Sequence, residues 1–278
     1  MDLPGTLFAT TSDGVRLKYA QAGSSDGQQI LFLTGWCQAS SEWRNQVEYF
    51  SLAGFRVTTH DMHGHGESEK PDFGYRISRF AADLNDLLTQ LNLEDLTIVA
   101  HSMGCSVTWA WWDQYPADHK RLDKLVLVDQ PATMVRHPSW TDTQAVQFGT
   151  LFTPERMYEL ANNLAAHLRG VLKGFFTPSI SEADFEWVLS ENGKMSDAHA
   201  TALLVNHGSC DWRDVIPRIA VPALVLGGLD PAPGIEWIAA QIPGARHYSF
   251  TAADKGYHFV FSENPDKFNA IVREFIAK

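Results

Sequence analysis

A serine stands in a predicted tight turn between an apolar run and the start of a helix. Residues 96–99 read Leu-Thr-Ile-Val, which is typical of a buried strand, and residues 105–110 have the pattern of a helix. Between them, residues 100–104 read Ala-His-Ser-Met-Gly, with Ala100 in a place more often held by glycine. A small-x-Ser-x-Gly turn lifts the serine hydroxyl above the sheet edge and leaves the next amide free to donate a hydrogen bond. The sequence therefore predicts a nucleophile elbow at Ser102.

Composition excludes several other classes of protein. The chain has 278 residues, 45% of them hydrophobic and 20% charged, which suits a globular protein with a large core. Its formal net charge of −11 argues against nucleic acid or an anionic membrane as a partner and is otherwise explained by solubility. The partner that we expect is a small-molecule substrate. The first residues lack a basic stretch followed by an apolar one, and no apolar run is long enough to span a bilayer. We expect a cytoplasmic protein.

The three cysteines are sparse and odd in number, which indicates a reducing compartment without a disulfide framework. No metal-ligand spacing joins them to the histidines. We therefore expect neither a metal nor another cofactor.

Strand and helix patterns alternate along most of the chain. The order predicts an α/β fold, with a mostly parallel central sheet and helices on both faces. Parallel strands end along one edge of such a sheet, and ligands bind there. The predicted elements are a hairpin in residues 6–22, strands at 29–33, 55–60, 96–99, 124–128 and 223–226, and helices at 78–92, 234–241 and 265–277.

The stretch 132–216 breaks this alternation. Apolar residues recur at helical spacing from Met157 to Val171 after a helix start at Thr153-Pro154. Ser181 resembles the cap of a second helix, and a third is predicted at 197–206. We therefore divide the chain into a core domain, 1–131 and 217–278, and a helical lid, 132–216, that folds over the active edge.

At this point the chain resembles the α/β-hydrolase family over almost its whole length. Leu33-Thr34-Gly35-Trp36 stands where the family has its oxyanion loop, and residues 61–68 resemble its Asp-x-x-Gly-x-Gly-x-Ser turn. Residues 211–222 resemble the entry to the late strand in the esterase and cofactor-free haloperoxidase-like branch. Gly256-Tyr257-His258-Phe259 resembles the family's late histidine loop. The resemblance implies the α/β-hydrolase fold and a catalytic triad.

Among the 11 histidines, His258 is the best candidate for the catalytic base. A serine hydroxyl needs a base within hydrogen-bond reach, and imidazole titrates near neutral pH. His258 follows the last predicted strand, and the family order of serine, acid and histidine places it over the elbow. His63 and His65 belong to the glycine-rich turn and are expected to be structural. The side chain of His101 is expected to point away from the site.

Two aspartates compete for the role of the acid. Asp230 follows the penultimate strand, the usual position in the family. Asp129 follows the strand after the elbow helix, the position from which some esterases and the family's cofactor-free dioxygenases draw their acid. Either carboxylate would hold the His258 ring in the required tautomer.

The backbone amides of Trp36 and Met103 are the predicted oxyanion hole. Aromatic and sulfur-containing side chains near the predicted site indicate an apolar or aromatic substrate, although each tryptophan taken alone is better explained as core. The predicted pocket residues are Trp36, Cys37, Trp140, Phe175, Phe176 and Trp187.

Two functions fit these residues. The first is a serine hydrolase that cleaves an ester or lactone, or a carbon–carbon bond, through an acyl-enzyme. The second is a cofactor-free dioxygenase that cleaves a 3-hydroxy-4-quinolone ring, in which His258 and its acid deprotonate the substrate and Ser102 only orients it. The residues 35–37 and Asp129 resemble the dioxygenases, whereas the intact elbow and the Asp230 motif favour the hydrolase.

Overall fold

The computed structural model describes residues 7–228 and 232–278, and these form one eight-stranded sheet with helices on both faces. The strand order in the sheet is β1-β2-β4-β3-β5-β6-β7-β8. Strand β2 pairs antiparallel with β1 and with β4, and all the other neighbouring strands are parallel. The predicted fold class is confirmed. The strands are β1 Leu7–Thr10, β2 Arg16–Gly23, β3 Gln29–Leu33, β4 Arg56–His60, β5 Leu96–His101, β6 Leu122–Val128, β7 Ala223–Gly227 and β8 Arg246–Ser249.

Six α-helices of the described residues belong to the predicted core, and five lie between β6 and β7. Those of the core are α1 Arg44–Leu52, α2 Ile77–Gln90, α3 Met103–Gln114, α9 Pro233–Gln241, the short α10 Val260–Glu263 and α11 Pro265–Ile276. Between β6 and β7 the chain forms α4 Asp142–Gln147, α5 Pro154–Asn162, α6 Leu164–Gly174, α7 Glu182–Asn192 and α8 Asp197–Gly208. No helix in the described ranges is both long and apolar enough to cross a bilayer.

Successive side chains of β3 point to opposite faces of the sheet, and each face packs into its own hydrophobic core. Ile30 and Phe32 face one side, where they pack with α1 and α11, and Leu31 and Leu33 face the other, where they pack with α2 and α3. All four side chains are fully buried, so this strand is apolar without a polar face. The two layers of helices fix the carboxyl ends of β3, β5 and β6 at one edge.

The helical segment between β6 and β7, residues 132–216, differs from its prediction at one point. The apolar repeat from Met157 to Val171 predicts one helix, but the chain breaks at Asn163, whose backbone leaves the helical region with φ −138° and ψ 41°. Asparagine favours such a break because its side chain competes for backbone hydrogen bonds. The starts after Thr153 and Ser181 are confirmed, since each of these side chains accepts a hydrogen bond from an amide in the first turn.

Helices α1, α4 and α10 and strand β8 were not predicted, and two of these four elements carry a weak pattern. The edge strand β8 is only partly buried, so its residues lack the apolar run that marks a central strand. Helix α4 has six residues and one buried side chain, Ala145. The division into a core and a lid at residues 132 and 216 stays a prediction.

Candidate active site

Ser102 sits on a strained turn between β5 and α3. Its backbone has φ 52° and ψ −124°, a region that residues other than glycine rarely adopt. The amide of Ser102 donates a hydrogen bond to the carbonyl of Val128 at 2.8 Å, which ties the turn to the end of β6. The neighbouring strands therefore maintain the strained turn predicted from the sequence.

The elbow requires a glycine at position 104 because α3 approaches β3 very closely there. A methyl group on Gly104 would lie 2.7 Å from the carbonyl oxygen of Thr34 and 3.1 Å from Cβ of Leu33. Backbone and a buried strand side chain do not give way easily. The short distance between α3 and β3 therefore depends on the missing side chain.

We expect Gly104→Val to disrupt the elbow. A branched side chain must push α3 away from β3, and overpacking of this kind costs on the order of 2 kcal/mol or more. The measurement is thermal unfolding followed by circular dichroism, with Gly170→Val as control, because a side chain at Gly170 meets open space. Equal stability of the two variants would contradict the close-approach argument.

His258 is paired with Asp129. The Nδ1 atom of His258 donates a hydrogen bond to Oδ2 of Asp129 at 2.6 Å, and Oδ1 of Asp129 accepts one from the amide of Gly228 at 3.1 Å. Asp129 directly follows β6 and has a left-handed φ of 51°. The other candidate acid, Asp230, lies outside the described residues.

Ser102 and His258 face one cavity, but their side chains are not hydrogen-bonded to each other in this structure. Catalytic hydrogen bonds are often long before a substrate binds, so this spacing is compatible with a nucleophile and its base. The amide of His258 donates to the carbonyl of Phe175 at 3.1 Å, and this bond attaches the histidine loop to the end of α6.

The two predicted oxyanion donors lie on either side of the elbow. Met103 opens α3, and the first N–H groups of a helix have no acceptor within it. The amide of Trp36 donates to no acceptor in the described part of the chain. The indole Nε1 of Trp36 donates to the carbonyl of Ala200 in α8 at 2.9 Å, which fixes the loop against the helical segment. The role of both amides stays a prediction.

A cavity of about 460 Å³ lies above the elbow and is mostly apolar. Trp36 and Phe175 line it, as predicted, and the helices between β6 and β7 supply much of its wall. Its apolar side chains include Met134, Leu151, Phe152, Leu160, Leu168, Val171, Leu172, Leu204 and Ile235. Polar side chains are few, so the cavity suits an apolar ligand with a small polar group.

Four of the predicted pocket residues do not line this cavity. Cys37 is buried beside Met195, with the sulfur atoms 3.9 Å apart, and Phe176 stacks on Phe259 in the core. Trp140 packs under Arg213, and Trp187 under Arg44. Each of these four side chains packs against a neighbour that the sequence pattern does not reveal, and this corrects their assignment to the pocket.

Burial controls the other reactive side chains near the site. It raises the pKa of the Cys37 thiol and of the Cys105 thiol, so both stay protonated and weakly nucleophilic at neutral pH. It lowers the pKa of His207, which lines the cavity, to about 3, so this ring stays neutral. Across the residues with described positions, no group of three or more His, Cys, Asp and Glu side chains has metal-binding geometry.

His101 is a fully buried residue next to the candidate site. Its side chain does not line the cavity, and its ring centre lies 4.4 Å from that of His258. Its Nε2 atom donates a hydrogen bond to the backbone carbonyl of His258 at 2.9 Å. The elbow and the histidine loop are therefore joined directly by a fully buried ring.

Known proteins resemble this chain over nearly its whole length. A non-heme chloroperoxidase from Streptomyces lividans is 29% identical over 280 residues, which cover 96% of this chain and 98% of that protein. A bifunctional esterase/perhydrolase from Acinetobacter calcoaceticus is 28% identical, with 80% of this chain and 81% of that protein covered. The solved structure of an esterase from Exiguobacterium antarcticum has a TM-score of 0.87 at 22% identity, covers 99% of this chain and 100% of that one, and shows the shared fold.

A family model described as alpha/beta hydrolase fold matches residues 29–265. This match covers most of the chain and includes Ser102, Asp129 and His258. The chain therefore belongs to the α/β-hydrolase fold family.

Proposed function

We propose that this chain is a serine hydrolase that cleaves an ester or lactone of an apolar or aromatic small molecule through Ser102, His258 and Asp129. The observation that carries the proposal is the 2.6 Å hydrogen bond between His258 and Asp129 beside an elbow serine in a shared cavity. The similarity to a protein named as an esterase and perhydrolase supports the same class of reaction.

In the proposed reaction, Oγ of Ser102 attacks the substrate carbonyl while Nε2 of His258 takes the hydroxyl proton. Asp129 holds the proton on Nδ1 and stabilises the imidazolium that forms. The amides of Trp36 and Met103 donate to the developing oxyanion. His258 then gives its proton to the leaving alcohol, and water activated by the same ring hydrolyses the acyl-enzyme.

We expect a fluorophosphonate to modify Ser102 in a one-to-one ratio. The reagent forms a covalent bond only with a serine whose proton can be removed by a neighbouring base. Mass mapping of the labelled peptide locates the site, and hydrolysis of p-nitrophenyl esters of different acyl lengths measures turnover. Absence of labelling together with absence of turnover on every ester would contradict the hydrolase proposal.

The second candidate is the cofactor-free dioxygenase. The position of the paired acid is compatible with it, because Asp129 stands at the end of β6, the position from which the dioxygenases, like some esterases, draw their acid. In this case His258 deprotonates a 3-hydroxy-4-quinolone, whose anion reacts with oxygen. An oxygen electrode separates the two candidates, since oxygen uptake that needs His258 and survives Ser102→Ala would replace the hydrolase by the dioxygenase.

A further inference from the structure

Both nitrogens of the His101 ring face carbonyl oxygens. Nδ1 lies 2.8 Å from Oε1 of Gln38, and Nε2 lies 2.9 Å from the backbone oxygen of His258. The Gln38 amide has only this orientation available, because its oxygen accepts from the amide of Gly35 and its nitrogen donates to Glu42 at 3.0 Å. A carbonyl oxygen only accepts hydrogen bonds, so each ring nitrogen of His101 needs a proton.

His65 is an equally buried ring with the opposite surroundings. Its Nδ1 faces the carbonyl of His63 at 2.9 Å, whereas its Nε2 accepts a hydrogen bond from the amide of Cys37 at 3.1 Å. One acceptor and one donor fit a neutral ring that carries its proton on Nδ1, and burial lowers the pKa of His65 to about 4. The chain therefore contains a neutral reference for His101.

Glu42 supplies a negative charge on the far side of Gln38. Its buried carboxylate accepts hydrogen bonds from the amide of Ala39 at 3.1 Å, Nε2 of Gln38 at 3.0 Å and Nδ2 of Asn192 at 3.0 Å. Three donors favour the ionised form. No lysine or arginine within residues 7–228 and 232–278 forms an ion pair with this carboxylate.

We propose that His101 is a positioning residue that carries protons on both ring nitrogens, with Glu42 as its counter-charge across the Gln38 amide. The pair anchors the backbone of the histidine loop and places a positive charge beside the His258 ring. The inference deepens the proposed function and rests on it for the role of His258 as the base.

Other groups around the pair also affect its charge. Burial, and after it the neighbouring His258 ring, lowers the pKa of His101. Burial raises the pKa of Glu42 to about 8, and Glu191 on α7 adds to this effect. The hydrogen bonds of both groups oppose the effect of burial. In the proposed charged pair, each charged form stabilises the other. His258 is a further titratable group against the ring, with Asp129 behind it. The remaining ring neighbours are the apolar Trp43, Phe259 and Phe261.

A charged His101 has a kinetic consequence. A cation beside His258 repels the positive charge that this ring acquires when it takes a proton. In Glu42→Gln the counter-charge is lost and His101 gives up one proton. We expect the acid limb of kcat/KM to move upward by about half a pH unit to one unit, because the cation that opposes protonation of the base is gone.

The matched control for this experiment is Ser106→Ala. It also removes a buried hydrogen bond near the elbow, the one between Oγ of Ser106 and Nε2 of His207 at 3.0 Å, but it leaves the charges in place. Its acid limb should coincide with that of the unsubstituted protein. An unshifted acid limb in a folded Glu42→Gln variant, or an equal shift in Ser106→Ala, would contradict the proposal.

The direct test is nuclear magnetic resonance on the full chain with ¹⁵N-labelled histidine rings at pH 7. His101 is assigned by the loss of its signals in His101→Gln or by through-space contact with Phe261, whose ring centre is 4.9 Å away. We expect protons on both nitrogens of His101 and only on Nδ1 of His65. A single protonated nitrogen on His101 would overturn the proposal. Because this readout needs no substrate, it is independent of whether Ser102 reacts with a fluorophosphonate.

Discussion

Replacement of Ser102 by alanine is expected to lower ester turnover by a factor on the order of 10⁵ to 10⁶. The variant cannot form the acyl-enzyme, so only binding and the oxyanion donors remain to assist attack by water. The measurement is the steady-state rate on p-nitrophenyl butyrate, together with loss of fluorophosphonate labelling. Stability should change little, because the Ser102 side chain makes no hydrogen bond to a described residue and the turn is held by its backbone.

Ser106→Ala is the matched control for this substitution. Both serines belong to the same turn and helix, but Oγ of Ser106 is fully buried against His207 and does not line the cavity. We expect this variant to keep turnover within about tenfold of the unsubstituted protein. Near-normal turnover in Ser102→Ala would remove the serine from the chemistry and contradict the proposed serine mechanism.

Local pattern was sufficient where a residue's role depends on its own stretch of chain. The apolar run of β5, the small residues of the elbow and the cap at Ser181 each carry their information within a few positions, and the structure has these elements where they were predicted. Helix α2 begins and ends within two residues of its predicted bounds. Neighbouring residues in the sequence largely determine such elements.

Contacts between distant residues were less predictable. The link from Asp129 to His258 joins positions 129 residues apart, and the one from Gln38 to His101 joins positions 63 apart. Trp140 and Trp187 are aromatic, as pocket residues often are. Each instead packs against an arginine through a cation–π contact and does not line the cavity. Which large side chain faces the cavity depends on how the helices after β6 pack, and sequence periodicity does not specify that packing.

Asp129→Asn is expected to lower kcat by a factor on the order of 10⁴ while leaving the position of His258 unchanged. The asparagine keeps an oxygen that can accept from the amide of Gly228, a bond now 3.1 Å long. Its NH₂ group then faces Nδ1 of His258, and a donor in that place forces the ring into the tautomer with its proton on Nε2. That tautomer cannot take the proton of Ser102, so the base is lost without loss of the fold.

The same substitution at the other candidate acid is the control, and the pair of variants decides between them. If Asp129 is the acid, Asp230→Asn should lose less than about tenfold in kcat, since an aspartate that takes no part in proton transfer is not required by the chemical step. Thermal unfolding of both variants separates a loss of chemistry from a loss of fold. A larger loss in Asp230→Asn would assign the role of the acid to Asp230. The 2.6 Å contact between Asp129 and His258 would then play no part in the reaction.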